Sequence, residues 1–164
     1  MNISRFRLLL VTTLTLLTFA SVTTVFAAQP TVQTIHDEGS AFVECDGFLA
    51  LTDFVQDIRV TTFFDRAGNP VGVQVHVNYN GVWTNSVTGL TLRDPAHQTI
   101  LYDLQEGTET TRGETFAITV PGEGIAVLGA GKLVFDAEGN VIFEAGPHQV
   151  LHGDFVALIC AALD

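Results

Sequence analysis

The chain has 164 residues, with 18 acidic and 7 basic side chains, 47% hydrophobic residues and 15% charged ones. That length admits one ordinary domain, and that composition excludes wholesale disorder. The acidic surplus excludes a nucleic-acid partner, because neutralising phosphates needs Lys and Arg.

Residues 1–27 read as an address. Arg5 and Arg7 precede an apolar run from Leu8 to Ala20, and Val25-Phe26-Ala27 forms a small-residue site ahead of Ala28. This is the layout of a cleavable secretory signal peptide. An uncleaved anchor is the rival reading, since no charge occurs from Leu8 to Ile35, a length that could span a bilayer. Threonines dilute that stretch, so the expected protein is secreted or extracytoplasmic, with no stable membrane insertion after signal cleavage. Loss of the two arginines leaves five basic residues, Arg59, Arg66, Arg93, Arg112 and Lys132, against all 18 carboxylates. Residues 28–40 are expected to be a loose N-terminal segment. Residues 41–164 are expected to form a single β-barrel domain.

Ala41–Cys45 is the first strand candidate. Ile58–Phe64 is β-branched and aromatic, and reads as another strand. Val71–Tyr79 alternates with period two: Val71, Val73, Val75, Val77 and Tyr79 share one face, Gln74, His76 and Asn78 the other. That pattern means a strand buried on one side. Asp65-Arg66-Ala67-Gly68-Asn69-Pro70 joins the two strands as a turn in which Gly68 and Asn69 tolerate positive φ. The phrase recurs as Phe135-Asp136-Ala137-Glu138-Gly139-Asn140, which reads as shared turn chemistry without functional content. Further strand candidates are Val82–Val87, Thr99–Leu104, Glu114–Val120, Gly124–Leu128 continuing through Lys132 to Asp136, and Val141–Gln149. Breaks are expected at Asn80-Gly81, Thr88-Gly89, Asp94-Pro95, Glu106-Gly107 and Pro121-Gly122. Short strands at this spacing predict an all-β fold, a closed antiparallel meander barrel of about eight strands. Gly124, Gly129 and Gly131 would mark its bends. Phe155, Leu158, Ile159 and Ala162 recur at helical spacing behind Asp154, a plausible cap, so a short C-terminal helix competes with a final strand.

Cys45 and Cys160 are the only two cysteines of the chain. In an exported protein an even count predicts a disulfide, here joining the start of the domain to its end. The address, Cys45-Asp46-Gly47-Phe48, the Asn85-Ser86-Val87-Thr88-Gly89 turn and Cys160 together resemble a family of small exported bacterial β-barrel proteins of uncharacterised function. The shape that this resemblance implies is similar to lipocalin-like and allene-oxide-cyclase-like barrels. It implies an architecture and carries no activity with it.

Standard catalytic motifs are missing: no G-x-S-x-G elbow, no H-E-x-x-H, no phosphate loop and no complete calcium loop. His148 and His152 are four apart, but Gly146, Pro147 and Gly153 bracket them, so a metal-clamping helix is not expected. No catalytic residue, metal or cofactor is assigned. His76 lies opposite the Val face, either facing solvent or pointing into a polar interior. Trp83, Tyr79 and Tyr102 could line an apolar cavity or fill a β core. Those four residues are the candidate ligand-binding set. Three readings follow. The first is a carrier of a small apolar ligand held in the barrel mouth. The second is an envelope structural or partner-binding protein that uses an exposed edge or loop. The third is a cyclase- or isomerase-like enzyme with His76 in a barrel pocket. An outer-membrane barrel is disfavoured because interfacial aromatics are few. Oligomeric state is not legible.

Overall fold

A computed structural model describes residues 28–122 and 124–164. The expected signal peptide, residues 1–27, lies outside them. Among the described residues, seven strands form one antiparallel meander in the order β1-β2-β3-β4-β5-β6-β7. They are β1 (Thr31–Cys45), β2 (Phe48–Phe64), β3 (Pro70–Asn85), β4 (Thr91–Asp103), β5 (Thr108–Val120), β6 (Gly124–Phe135) and β7 (Val141–Ala145). A helical turn, α1 (Gln149–His152), and a helix, α2 (Phe155–Leu163), end the chain. The all-β class, the meander and the C-terminal helix therefore follow the sequence. The closure does not: β1 and β7 are the two edges, and the sheet is open.

The two Phe-Asp-x-x-Gly-Asn phrases do make matching hairpin turns. Asp65 Oδ1 accepts from the backbone N–H of Ala67 and Asn69, and Asp136 Oδ1 accepts from those of Glu138 and Asn140. The Asn side chain returns a hydrogen bond to the carboxylate in each turn. Gly68 and Gly139 sit at φ +87° and +84°, a conformation costly for any residue with a Cβ.

Two expected breaks are not breaks. Asn80-Gly81 lies inside β3, and Asp94-Pro95 lies inside β4, where Asn80 stands opposite Pro95. Gly81 serves packing: a Cβ there would come within 2.6 Å of the Tyr79 hydroxyl oxygen. Pro95 falls where β4 pairs with β3 alone, because the β4–β5 ladder begins at His97. Proline is tolerated in such an unpaired edge stretch. Thr31–Ser40, expected to be loose, forms the first two thirds of β1 and pairs with β2 from Thr62 to Asp53. The strand expected over Val141–Gln149 stops at Ala145, and α1 takes the following residues.

Register places side chains. Trp83, Tyr79, Val77, Val75 and Val73 share one face of β3, with Ala50, Thr52, Phe54, Ile58 and Val60 beside them on β2. Leu92, Asp94, Ala96, Ile100 and Tyr102 continue that inner face on β4. The hydrophobic core occupies one end of it. Ala50, Trp83, Leu92, Ile118 and Val127 pack under Ile159 and Leu163 of α2. Those two α2 residues are spaced one turn apart, so a single helical stripe meets the sheet.

Four devices hold α2 in place. Cys45 and Cys160 are disulfide-bonded. Asp154 caps the helix, accepting from Val156 and Ala157 N–H. Buried Asn85 donates from Nδ2 to the Leu163 carbonyl. Phe155 meets Trp83 and Phe116 edge-on, with ring centroids 6.0 and 5.1 Å apart. Asn85 also accepts from Val87 and Thr88 N–H through Oδ1, so one side chain fixes both the β3–β4 turn and the helix end.

β5 and β6 carry a pair of glycines at which the sheet can crease. Gly113 and Gly131 stand directly opposite each other. Both have positive φ, +111° and +127°. A Cβ on Gly113 would overlap the His97 carbonyl oxygen, and one on Gly131 the Ala145 carbonyl oxygen. Glycine kinks aligned across strands are how sheets bend sharply. Gly131 was an expected bend; its partner Gly113 is visible only through the register.

Candidate functional site

On the outer face of the sheet, opposite the Val face, polar side chains are ordered in rows around His76, while exposed Phe42, Leu49, Leu51, Val55 and Val82 occupy the same face nearer the disulfide. One row crosses the strands as His36, Asp57, Asn78, His97 and Glu114. The next crosses as Thr34, Arg59, His76, Thr99, Arg112 and Lys132. Cross-strand neighbours lie close enough to bond. His36 Nδ1 meets Asp57 Oδ1 at 2.7 Å, His97 Nδ1 meets Asn78 Oδ1 at 2.9 Å, and His76 Nδ1 meets Thr99 Oγ1 at 2.9 Å. Gln74 joins His76 Nε2 from the same strand. The hydrogen bond that Asp57 accepts from His36, helped by the carboxylate's charge, raises the His36 pKa above 6.5. Between the rows lies an open depression of about 380 Å³, lined among others by Asp57, Arg59, His76, Asn78, His97 and Thr99.

Charge is unevenly spread over this face. Arg59, Arg112 and Lys132 are three of the five cationic side chains beyond residue 27. They lie in one row. Among the described residues the only ion pairs are His36–Asp57 and His152–Glu144, so none of the three is in a direct ion pair, although Asp57 and Glu114 stand in the adjacent row. Lys132 is steadied over the Phe143 ring, 5.0 Å from its centroid.

A second polar feature is interior. Asp94 is 1% exposed. Its Oδ2 accepts from Trp83 Nε1 and its Oδ1 from Ala117 N–H, both at 3.2 Å. The second bond stands in for the β4–β5 rung that is missing beside Pro95. Burial raises the Asp94 pKa above 3.8, and the two donors only partly offset this. Its surroundings are the filled core, so it is a structural carboxylate with no access for a substrate.

The four candidate ligand residues do not meet. Trp83 is 5% exposed and packed against Phe155, which makes it core. Tyr79 shares that face and stacks on Phe54, with centroids 5.7 Å apart. Tyr102 is on the same face, opposite Val73, at the far end of the sheet. His76 is on the other face and exposed. Burial raises the pKa of both tyrosines above 10. The main depressions on the described residues are all open to solvent. Among those residues no three His, Cys, Asp or Glu side chains are arranged to hold a metal ion. His152 bonds Glu144, and His148 is buried beside the Ala145 carbonyl, so the two histidines have separate partners.

The cationic row escaped the sequence reading because Arg59, Arg112 and Lys132 are scattered along the chain. Only the register aligns them. Comparison with protein families, curated proteins and solved structures finds no match to this chain.

Proposed function

We propose that this is an extracytoplasmic partner-binding protein whose recognition surface is the open polar face of the sheet around His76. One observation carries the reading: the functional-looking side chains sit on an exposed sheet face, while the aromatic set that would line a carrier's pocket is divided between a filled core and separate sites. An open face suits a macromolecular partner, because a small apolar ligand needs concave burial. The disulfide and the expected signal peptide support an exported setting. His76, exposed and bonded to Thr99 and Gln74, is without the enclosed site that general acid–base chemistry on a small substrate calls for. Barrel closure by a lipocalin-like rim is not needed for this role.

The test is site-specific photo-cross-linking in the native host. A cross-linking side chain replaces Asn78 on the polar face or, as a control, Val75 on the apolar face. Adducts from position 78 and none from position 75 are expected. Adducts confined to position 75 would overturn the reading.

A further inference from the structure

The occupant's chemistry can be taken further. We propose that the Arg59–His76–Thr99–Arg112–Lys132 row binds a linear acidic polysaccharide, its uronate carboxylates lying along the row. This rests on the reading of the polar face as the recognition surface. The row runs over five adjacent strands, β2 to β6. At about 4.8 Å per strand that is about 19 Å, the reach of several sugar units and far more than one small anion requires.

Charge complementarity selects an anion. Arg59, Arg112 and Lys132 are in no direct ion pair among the described residues. They stand out in a chain that is otherwise strongly acidic. Guanidinium groups hold carboxylates by paired charge-assisted hydrogen bonds. Thr99 and His76, between the cations, add neutral hydrogen-bonding groups.

The neighbouring row decides which anion. Asp57, Asn78, His97 and Glu114 flank the cations on one side. The carboxylates of Asp57 and Glu114 suit a ligand edge that donates hydrogen bonds. A uronate polymer has both edges: carboxylates for the cationic row, and hydroxyls that donate to Asp57 and Glu114. A polyphosphate or a nucleic-acid backbone would press phosphates against Asp57. An anionic bilayer would face the whole acidic surface at once.

The test uses the full oxidised protein and an oligogalacturonate probe, with binding followed by calorimetry. The comparison arms are a neutral glucan oligomer, inorganic polyphosphate and phosphatidylglycerol vesicles. The uronate oligomer is expected to bind, more weakly as salt rises; the neutral glucan is expected not to bind. Arg59→Gln and Arg112→Gln should each weaken binding about tenfold, the effect of losing one charge-assisted contact. Unchanged Trp83 fluorescence would confirm that each variant is folded. Backbone amide shifts of the unmodified protein provide a readout independent of folding variants. They are expected to move along Arg59, His76, Thr99, Arg112 and Lys132. No uronate binding, binding untouched by both variants, or tighter binding of polyphosphate or vesicles would overturn the proposal. Cross-links from position 78 alongside absent uronate binding would leave the recognition face standing and remove only this ligand class.

Discussion

Removing the Cys45–Cys160 bond with a Cys45→Ala/Cys160→Ala variant probes how the domain is closed. The bond joins residues 115 apart in sequence. Chain-entropy arithmetic for a loop of that size gives about 16 cal/mol/K, or about 5 kcal/mol at 25 °C, as an upper value. Small domains hold only about 5–15 kcal/mol in total, so the variant should be visibly weakened. It should still fold, because α2 keeps its other anchors: Ile159 and Leu163 buried in the core, the Asp154 cap, and Asn85 on the Leu163 carbonyl. The assay is denaturant unfolding followed by two probes. Trp83 is the only tryptophan of the chain. It packs edge-on against Phe155 and so reports directly on the seating of α2. Far-ultraviolet circular dichroism reports the sheet. Both probes are expected to shift together to a lower midpoint, with a loss of several kcal/mol. An unchanged midpoint would refute the entropic argument. A Trp83 transition well ahead of the sheet transition would refute the claim that α2 belongs to the single core. Should the double variant not fold, Asn85→Asp provides the same contrast. It keeps the turn acceptor but loses the donor to Leu163, at a cost of about 1–3 kcal/mol for the orphaned carbonyl and the buried charge.

Other outcomes are equally specific. Gly131→Ala forces a Cβ onto the Ala145 carbonyl at positive φ, and should cost at least about 1–3 kcal/mol in thermal or denaturant unfolding; an indifferent Gly131→Ala would mean the crease is soft. His36 should titrate above 6.5 by NMR because of its Asp57 hydrogen bond, and its midpoint should fall in Asp57→Asn. Its raised folded pKa adds stability that is complete below 6.5 and is lost as pH rises through the folded value; a midpoint below 6.5 would contradict the geometry. For Asp94 the sign is opposite to the usual carboxylate case. Its folded pKa is raised above 3.8 by burial, so between 3.8 and the folded value the native state binds the extra proton and stability falls as pH rises. Trp83 fluorescence should titrate with a midpoint above 3.8, and a midpoint below it would show that the two donors outweigh burial.

Much of the fold was legible because its signals are local. Val71–Tyr79 announced its two faces by alternation, and the paired Phe-Asp-x-x-Gly-Asn phrases announced two hairpins with the same carboxylate-capped turn. Cys45 and Cys160 could pair only with each other. Asp154 and the helical spacing behind it raised α2 as one of two readings, a final strand being the other. What misled was also local. Asn-Gly at 80–81 and Asp-Pro at 94–95 carry turn chemistry, yet the β2–β3–β4 ladder overrides it: Gly81 makes room for Tyr79, and Asp94 replaces the backbone rung lost beside Pro95. The site was least legible. His76 was placed on the polar face by its strand's own pattern. Its neighbours Arg59, Arg112 and Lys132 come from three other strands, and nothing in the sequence aligns them before the register is known. Trp83 stood open between pocket wall and core, because an aromatic on an inward face fits both; α2 decides it by filling the space.

The central claim is that recognition takes place on an open face and not in an enclosed pocket. Native mass spectrometry of the protein purified from its own source, without refolding, tests it most directly. The account predicts an oxidised chain, two hydrogens lighter than its reduced form, with no apolar small molecule retained. A bound apolar compound released only on denaturation would contradict it, and would return the carrier reading to first place.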